Sequence, residues 1–194
     1  MRSHFLRSTH MSNQVRSYID DARRFQKCGD HEFAISSLQL AQQADQRKEH
    51  EIEIQKLFSL SYRKMGNYNI ALLHINKAIN QNIKRNNGKQ LQNEHAICLM
   101  NKGIIYEECK RYNNALDCYI PAVDSFISLY KDNPDEHGLI INALLTLGLF
   151  YYKQGNFEKA KDTLNLALTY FHEGKENDRR YVAICNTLQE LQAK

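Results

Sequence analysis

NALLTLGLFYYKQGNFEKAKDTLNLALTYF, residues 142–171, holds two runs of apolar and small side chains at helical spacing. In the first, Leu144, Leu147, Gly148 and Tyr151 fall on one face of a helix. In the second, which starts at Phe157, Ala160, Leu164, Ala167 and Leu168 do the same. Gly155 and Asn156, between the runs, both tolerate positive φ, so they mark a tight turn. Two amphipathic helices joined this way predict an αα-hairpin. Gly148 and Ala160 sit where the two backbones must approach closely.

The rest of the chain repeats this plan less tidily. From Gln14 the spacing predicts a helix carrying Tyr18, Ala22 and Phe25, a turn at Cys28-Gly29-Asp30, and a second helix carrying Phe33, Ala34, Leu38 and Ala41. A second hairpin sets Phe58, Ser59 and Tyr62 before Gly66-Asn67 and Tyr68, Ala71, Ile75, Ala78 and Ile79 after it. A third has Leu99, Gly103 and Tyr106, a turn at Cys109-Lys110-Arg111, then Tyr112, Ala115, Tyr119 and Ala122. Lys110 stands where the other turns have glycine, which predicts a strained left-handed residue. Gly103, like Gly148, is read as permitting close helix contact, whereas Gly88, Gly138 and Gly174 fall between hairpins. Pro121 lies inside a helix, where its missing amide hydrogen and its ring disturb the carbonyl of Asp117, so a kink is expected there. Beyond the fourth hairpin, Tyr181, Ile184, Cys185, Leu188 and Leu191 predict one closing helix. It would cover the apolar side of the last hairpin, with Arg179, Arg180, Gln189, Glu190 and Lys194 facing water.

This order of small and large residues over 14–173 resembles the tetratricopeptide repeat, whose usual period is about 34 residues. Here Ala34, Ala71, Ala115 and Ala160 are spaced by 37, 44 and 45. The extra residues fall at 82–94 and 130–138, which is similar to the long repeats of kinesin light chain and of the Pins adaptors. The resemblance implies an all-α fold, a right-handed α-solenoid of about four hairpins with a C-terminal closing helix. The expected organisation is a basic segment at 1–13, a repeat domain at 14–175 and a capping helix at 176–194. Residues 1–13 contain two arginines, two histidines and no acid. They read as a flexible tail, a targeting segment, or a cloning remnant before a start at Met11.

Composition excludes several classes. With 42% hydrophobic residues the chain has ample material for a core, and only 2 prolines and 8 glycines interrupt it. No apolar run approaches the roughly 20 residues of a membrane span. A net charge of +4 is mild and does not call for nucleic acid. Five scattered cysteines, Cys28, Cys98, Cys109, Cys118 and Cys185, fit a reducing compartment and read as small buried hydrophobes. Cytoplasm is the expected location, with mitochondrion or cilium as alternatives. The histidines sit mostly at expected hairpin ends, none at a metal-ligand spacing, and no catalytic or phosphate-loop motif occurs, so neither enzyme nor cofactor is expected.

In stacked repeats the first helices line one face. Its candidate binding residues are Arg23, Lys27, Lys56, Leu57, Leu60, Arg63, Lys64, Asn101, Ile104, Leu145, Leu149 and Tyr152. Basic residues lie toward the N-terminal end and apolar ones toward the C-terminal end, which suits an acidic segment with apolar anchors. The family's carboxylate clamp is matched at Lys56 and Asn101, but Leu60, Asn142 and Thr146 stand where asparagine, lysine and arginine belong. The expected role is a protein-binding adaptor or a subunit of a multiprotein complex. The alternatives are a peptide-sensing regulatory receptor, or a structural subunit buried in an axonemal or mitochondrial assembly.

Overall fold

The computed structural model describes the backbone of residues 2–85, 89–171 and 177–192, and the side chains of 13–85, 92–171 and 177–192. Expectations about the side chains of residues 1–12, Gly88, His172, Gly174 and Lys194 lie outside the described residues. Among the described residues there are nine α-helices and no strand. They are α1 (Arg2–Cys28), α2 (His31–Ala44), α3 (Glu51–Lys64), α4 (Tyr68–Lys84), α5 (Lys89–Glu108), α6 (Tyr112–Tyr130), α7 (His137–Lys153), α8 (Phe157–Leu168) and α9 (Arg179–Gln192). A single 3-10 turn, Pro134–Glu136, precedes α7. The chain divides into two compact units, one of residues 1–91 with 104–115, the other of 92–103 with 116–194.

Four helix-to-helix turns share one hydrogen-bond pattern. The N–H groups of Asp30, Asn67, Arg111 and Asn156 donate to the carbonyls of Phe25, Tyr62, Tyr106 and Tyr151 at 2.8–3.0 Å. The residue just before each donor is left-handed: Gly29, Gly66 and Gly155 at φ between +75° and +85°, and Lys110 at +62°. This is the helix-ending motif in which a left-handed residue lets the chain fold back on the last turn. The donor residue then opens the next helix. Its carbonyl accepts from Ala34, Ala71, Ala115 or Ala160, each time at 3.0 Å. All four alanines have no exposed surface. The expected strain at Lys110 is therefore present.

In unit 1, α1 packs on α2, α2 on α3 and α3 on α4, while α1 also touches α3. Its core joins Val15, Ile19 and Ala22 of α1 to Ala34, Leu38 and Ala41 of α2 and to Ile54 and Phe58 of α3. Phe33, expected on the buried side of α2, is instead 63% exposed. It leans on the Phe25 ring 5.5 Å away, at the lip of the turn. The small residue that faces α4 from α3 is Ser59, whose buried hydroxyl donates to the Ala71 carbonyl at 2.9 Å. α1 runs without a break across the boundary expected at 13/14.

Unit 2 is built around α7, which packs on α8, with α9 against both. Ile140, Ile141, Ala143, Leu144, Leu147, Gly148, Phe150 and Tyr151 of α7 are all buried. A methyl group added at Gly148 would lie 2.6 Å from Leu164 Cδ2, and one at Gly103 would lie 2.5 Å from Tyr119 Cδ1. Both glycines thus serve the close contacts expected of them. Pro121 does not interrupt α6, which continues to Tyr130. Pro121 and Asp117 both lie on the exposed side, so the carbonyl that loses its amide donor can turn to water. The long spacing between repeats comes from longer helices, since α4, α5 and α6 have 17, 20 and 19 residues against 14 in α2 and α3.

Candidate protein-binding faces

On unit 1, the candidate cations divide into paired and exposed. Arg23 bonds Asp20 at 3.2 Å and also holds Glu53 of α3. Arg63 holds Glu108, which lies 45 residues on. The pairs with Glu53 and Glu108 stitch one first helix to the next, and a cation engaged in this way contributes little long-range field. Lys27 and Lys64, at the last turns of α1 and α3, are exposed, while Lys56 is half-buried. Leu57 packs against the core of α1, α2 and α3, and its carbonyl accepts from Gln26 Nε2 at 2.9 Å. It therefore has a structural task. Leu60 and Ile104 are half-buried.

On unit 2, Asn101, Leu145, Leu149 and Tyr152 are half-buried and Asn142 is exposed. The Tyr152 hydroxyl donates to Glu190 Oε2 of α9 at 2.6 Å. Tyr152 occupies the same place relative to its turn as Arg63 and Gln26 do relative to theirs. All three reach the following first helix, because Gln26 Nε2 also donates to Ser61 Oγ at 2.8 Å. By this criterion α9 stands in the position of a first helix. Glu190 is exposed as expected while it accepts from Tyr152, whereas Arg180, expected to face water, is half-buried and bonds Asp178 at 2.6 Å and the Gly138 carbonyl at 3.2 Å.

Several functional-looking side chains were not singled out by sequence reasoning. Asp45 is buried and accepts from the amides of Glu49 and His50 at 3.0 and 2.8 Å, while Arg85 donates to the Glu49 carbonyl at 3.2 Å and to that of Lys48. Together they clamp the connection between α2 and α3. His74 lies inside α4 and His95 inside α5, not at hairpin ends. The His74 ring stacks on Phe58 at 4.7 Å and Tyr62 at 5.3 Å, and its Nδ1 bonds Gln55 Oε1 at 2.6 Å. Gln55 in turn donates to Glu51 at 2.9 Å. Burial, with a smaller contribution from the Lys77 charge, pushes the His74 pKa down to about 4, so the ring is neutral and structural. Arg85 and His74 had no local signal, because their partners lie 19–37 residues away in sequence.

Among the described residues no three His, Cys, Asp or Glu side chains gather as a metal site would require. No described helix is long and apolar enough to cross a membrane. All five cysteines are free thiols. Cys98 and Cys118 are buried, Cys109 and Cys185 half-buried, and Cys28, expected to be buried, is exposed at its turn.

Residues 141–171 match the family model described as tetratricopeptide repeat. No curated protein matches the sequence. Among solved structures, the chain is similar to BtubC (BKLC) from P. vanneervenii at 18% identity and a TM-score of 0.67, over 94% of this chain and 87% of that one. It is also similar to the apo form of RapI, at 20% identity and a TM-score of 0.71, where 93% of this chain spans only 48% of RapI. A tetratricopeptide repeat protein from Parabacteroides merdae gives 19% identity and a TM-score of 0.58 over 93% of this chain and 61% of that one. At these identities the likeness concerns the fold. Residues 141–171 thus carry a tetratricopeptide repeat, and nearly the whole chain shares the fold of these structures.

Proposed function

We propose that the chain is a non-catalytic adaptor or assembly subunit that holds an acidic, apolar-anchored segment of another protein against its first-helix faces. The observation that carries this reading is the repeat fold itself, in which each first helix offers a face not consumed by its own hairpin. Lys27 and Lys64 supply exposed positive charge on unit 1. On unit 2, Leu145 and Leu149 supply partly accessible apolar surface one and two turns along α7 from Asn142. Free thiols suit work in a reducing compartment, the cytoplasm in the first instance.

The test uses the full chain and an immobilised panel of synthetic acidic peptides with leucine or phenylalanine anchors, at two salt concentrations. Lys64→Glu is expected to slow association and to weaken its salt dependence, because a rim charge steers encounter. Leu149→Ala is expected to speed dissociation by about tenfold, because it removes contact and leaves the field unchanged. Arg63→Glu is the less informative variant, since it also breaks the pair with Glu108. Parent-like kinetics in both Lys64→Glu and Leu149→Ala would remove the first-helix faces from consideration.

A further inference from the structure

The four second helices can be superposed in register on their buried alanines. Four positions then recur on the side away from the partner helix, one before the alanine and two, six and nine after it. In α2 these are Phe33, Ser36, Leu40 and Gln43; in α4 they are Ile70, Leu73, Lys77 and Asn80, and Lys84 continues the line. All nine are exposed. Their 3-4-3-4 spacing makes one straight stripe along the helix, about 21 Å in α4. The equivalent positions of α6 are Asn114, Asp117, Pro121 and Asp124, and those of α8 and its C-cap are Lys159, Asp162, Leu166 and Thr169. They too are exposed, and they are mainly polar. The repeat therefore does not require apolar residues on this stripe, yet Phe33, Leu40 and Leu73 leave 63%, 46% and 54% of their surface in water.

We propose that the outer stripe of α4 is a docking surface for an amphipathic helix of another protein, whose apolar residues sit on Ile70 and Leu73 and whose acidic residues reach Lys77 and Lys84. The charge argument is specific to this one of the four second helices: α4 contains no aspartate or glutamate, and its exposed line runs from apolar to basic. The 3-4 spacing is that of a seam read by a second helix. A second copy of the chain is a poor occupant. Antiparallel pairing of the stripe with itself sets Ile70 opposite Lys84, and parallel pairing sets Lys77 against Lys77. This surface is distinct from the first-helix faces, so a chain that uses both would bridge two partners.

The experiment is fluorescence anisotropy with the full chain and a labelled helix-forming peptide that carries leucines at 3-4 spacing followed by glutamates. A control peptide has lysine for each glutamate. Binding of the acidic peptide should exceed that of the basic one, fall about tenfold in the double variant Ile70→Ser/Leu73→Ser, and lose most of its salt dependence in Lys77→Gln/Lys84→Gln. It should stay unchanged in Lys64→Glu and Leu149→Ala, which separates failure of this surface from failure of the first-helix faces. All the stripe positions are exposed, so circular dichroism should show each variant folded. Equal binding of the two peptides, or parent-like binding by Ile70→Ser/Leu73→Ser, would overturn the proposal. So would a dimer in native mass spectrometry that this double variant dissolves, because the occupant would then be a second copy.

Discussion

Replacing Lys110 by glycine should stabilise the protein. Lys110 makes the same two turn bonds as Gly29, Gly66 and Gly155, its own N–H donating to Glu107 at 3.0 Å and that of Arg111 to Tyr106 at 2.8 Å, but it holds φ at +62° with a β-carbon present. A left-handed conformation costs a residue with a β-carbon about 1–2 kcal/mol. Glycine removes that strain, and its wider freedom in the unfolded chain takes back about 0.4–1 kcal/mol. The net gain is then about 0.5–1 kcal/mol, a rise of about 1–4 °C in Tm for a chain of this size. The reciprocal change is Gly155→Ala. An added methyl there meets nothing within 4 Å, so any loss is conformational and not a clash. It should destabilise by a similar amount. Urea titration followed by circular dichroism measures both, with an unchanged slope expected and only the midpoint moving. If Lys110→Gly lowers the midpoint while Gly155→Ala also lowers it, the lysine side chain contributes something that the turn geometry does not contain, and the reasoning fails.

Crowding at the helix contacts can be tested similarly. Ala160→Leu and Gly148→Ala should each cost about 1–3 kcal/mol, because Ala160 is wholly buried and the new methyl at 148 would sit 2.6 Å from Leu164; a parent-like melting curve for either would place the contact elsewhere. The buried His74 should make stability depend on pH. Between its folded pKa of about 4 and the ordinary value of 6.5, the unfolded chain binds a proton that the folded chain does not. Stability from this group is therefore complete above pH 6.5 and declines as pH falls toward 4. His95, whose pKa burial also lowers, adds to the same slope. His74→Gln should flatten the slope, as read by denaturation midpoints across that window.

The hairpins were legible because their determinants are local. Gly66-Asn67 and Gly155-Asn156 announce their turns within two residues, and Lys110 betrays itself by standing in a glycine's place. The alanine four residues after each turn donor is equally readable, since the new helix brings it against its neighbour at once. What joins one hairpin to the next was not legible. Arg23 and Arg63 read as outward cations, and nothing near them in sequence points to Glu53 or to Glu108. Leu57 looked like spare apolar surface for the same reason: its burial depends on where α1 arrives. Phe33 misled in the opposite direction, because helical spacing alone does not say that the preceding turn leaves its ring outside. Pro121 lies inside α6, as the helical spacing around it indicated.

The burial of the α7 face that carries Ile140, Ile141, Leu144, Leu147, Gly148 and Tyr151 has a kinetic consequence. That face is released to solvent only when α8 and α9 come away, so exchange of the amide hydrogens of α7 with deuterated solvent is coupled to that event. The α7–α8 hairpin should therefore hold its protons longest and act as the seed on which the neighbouring helices re-form after dilution from denaturant.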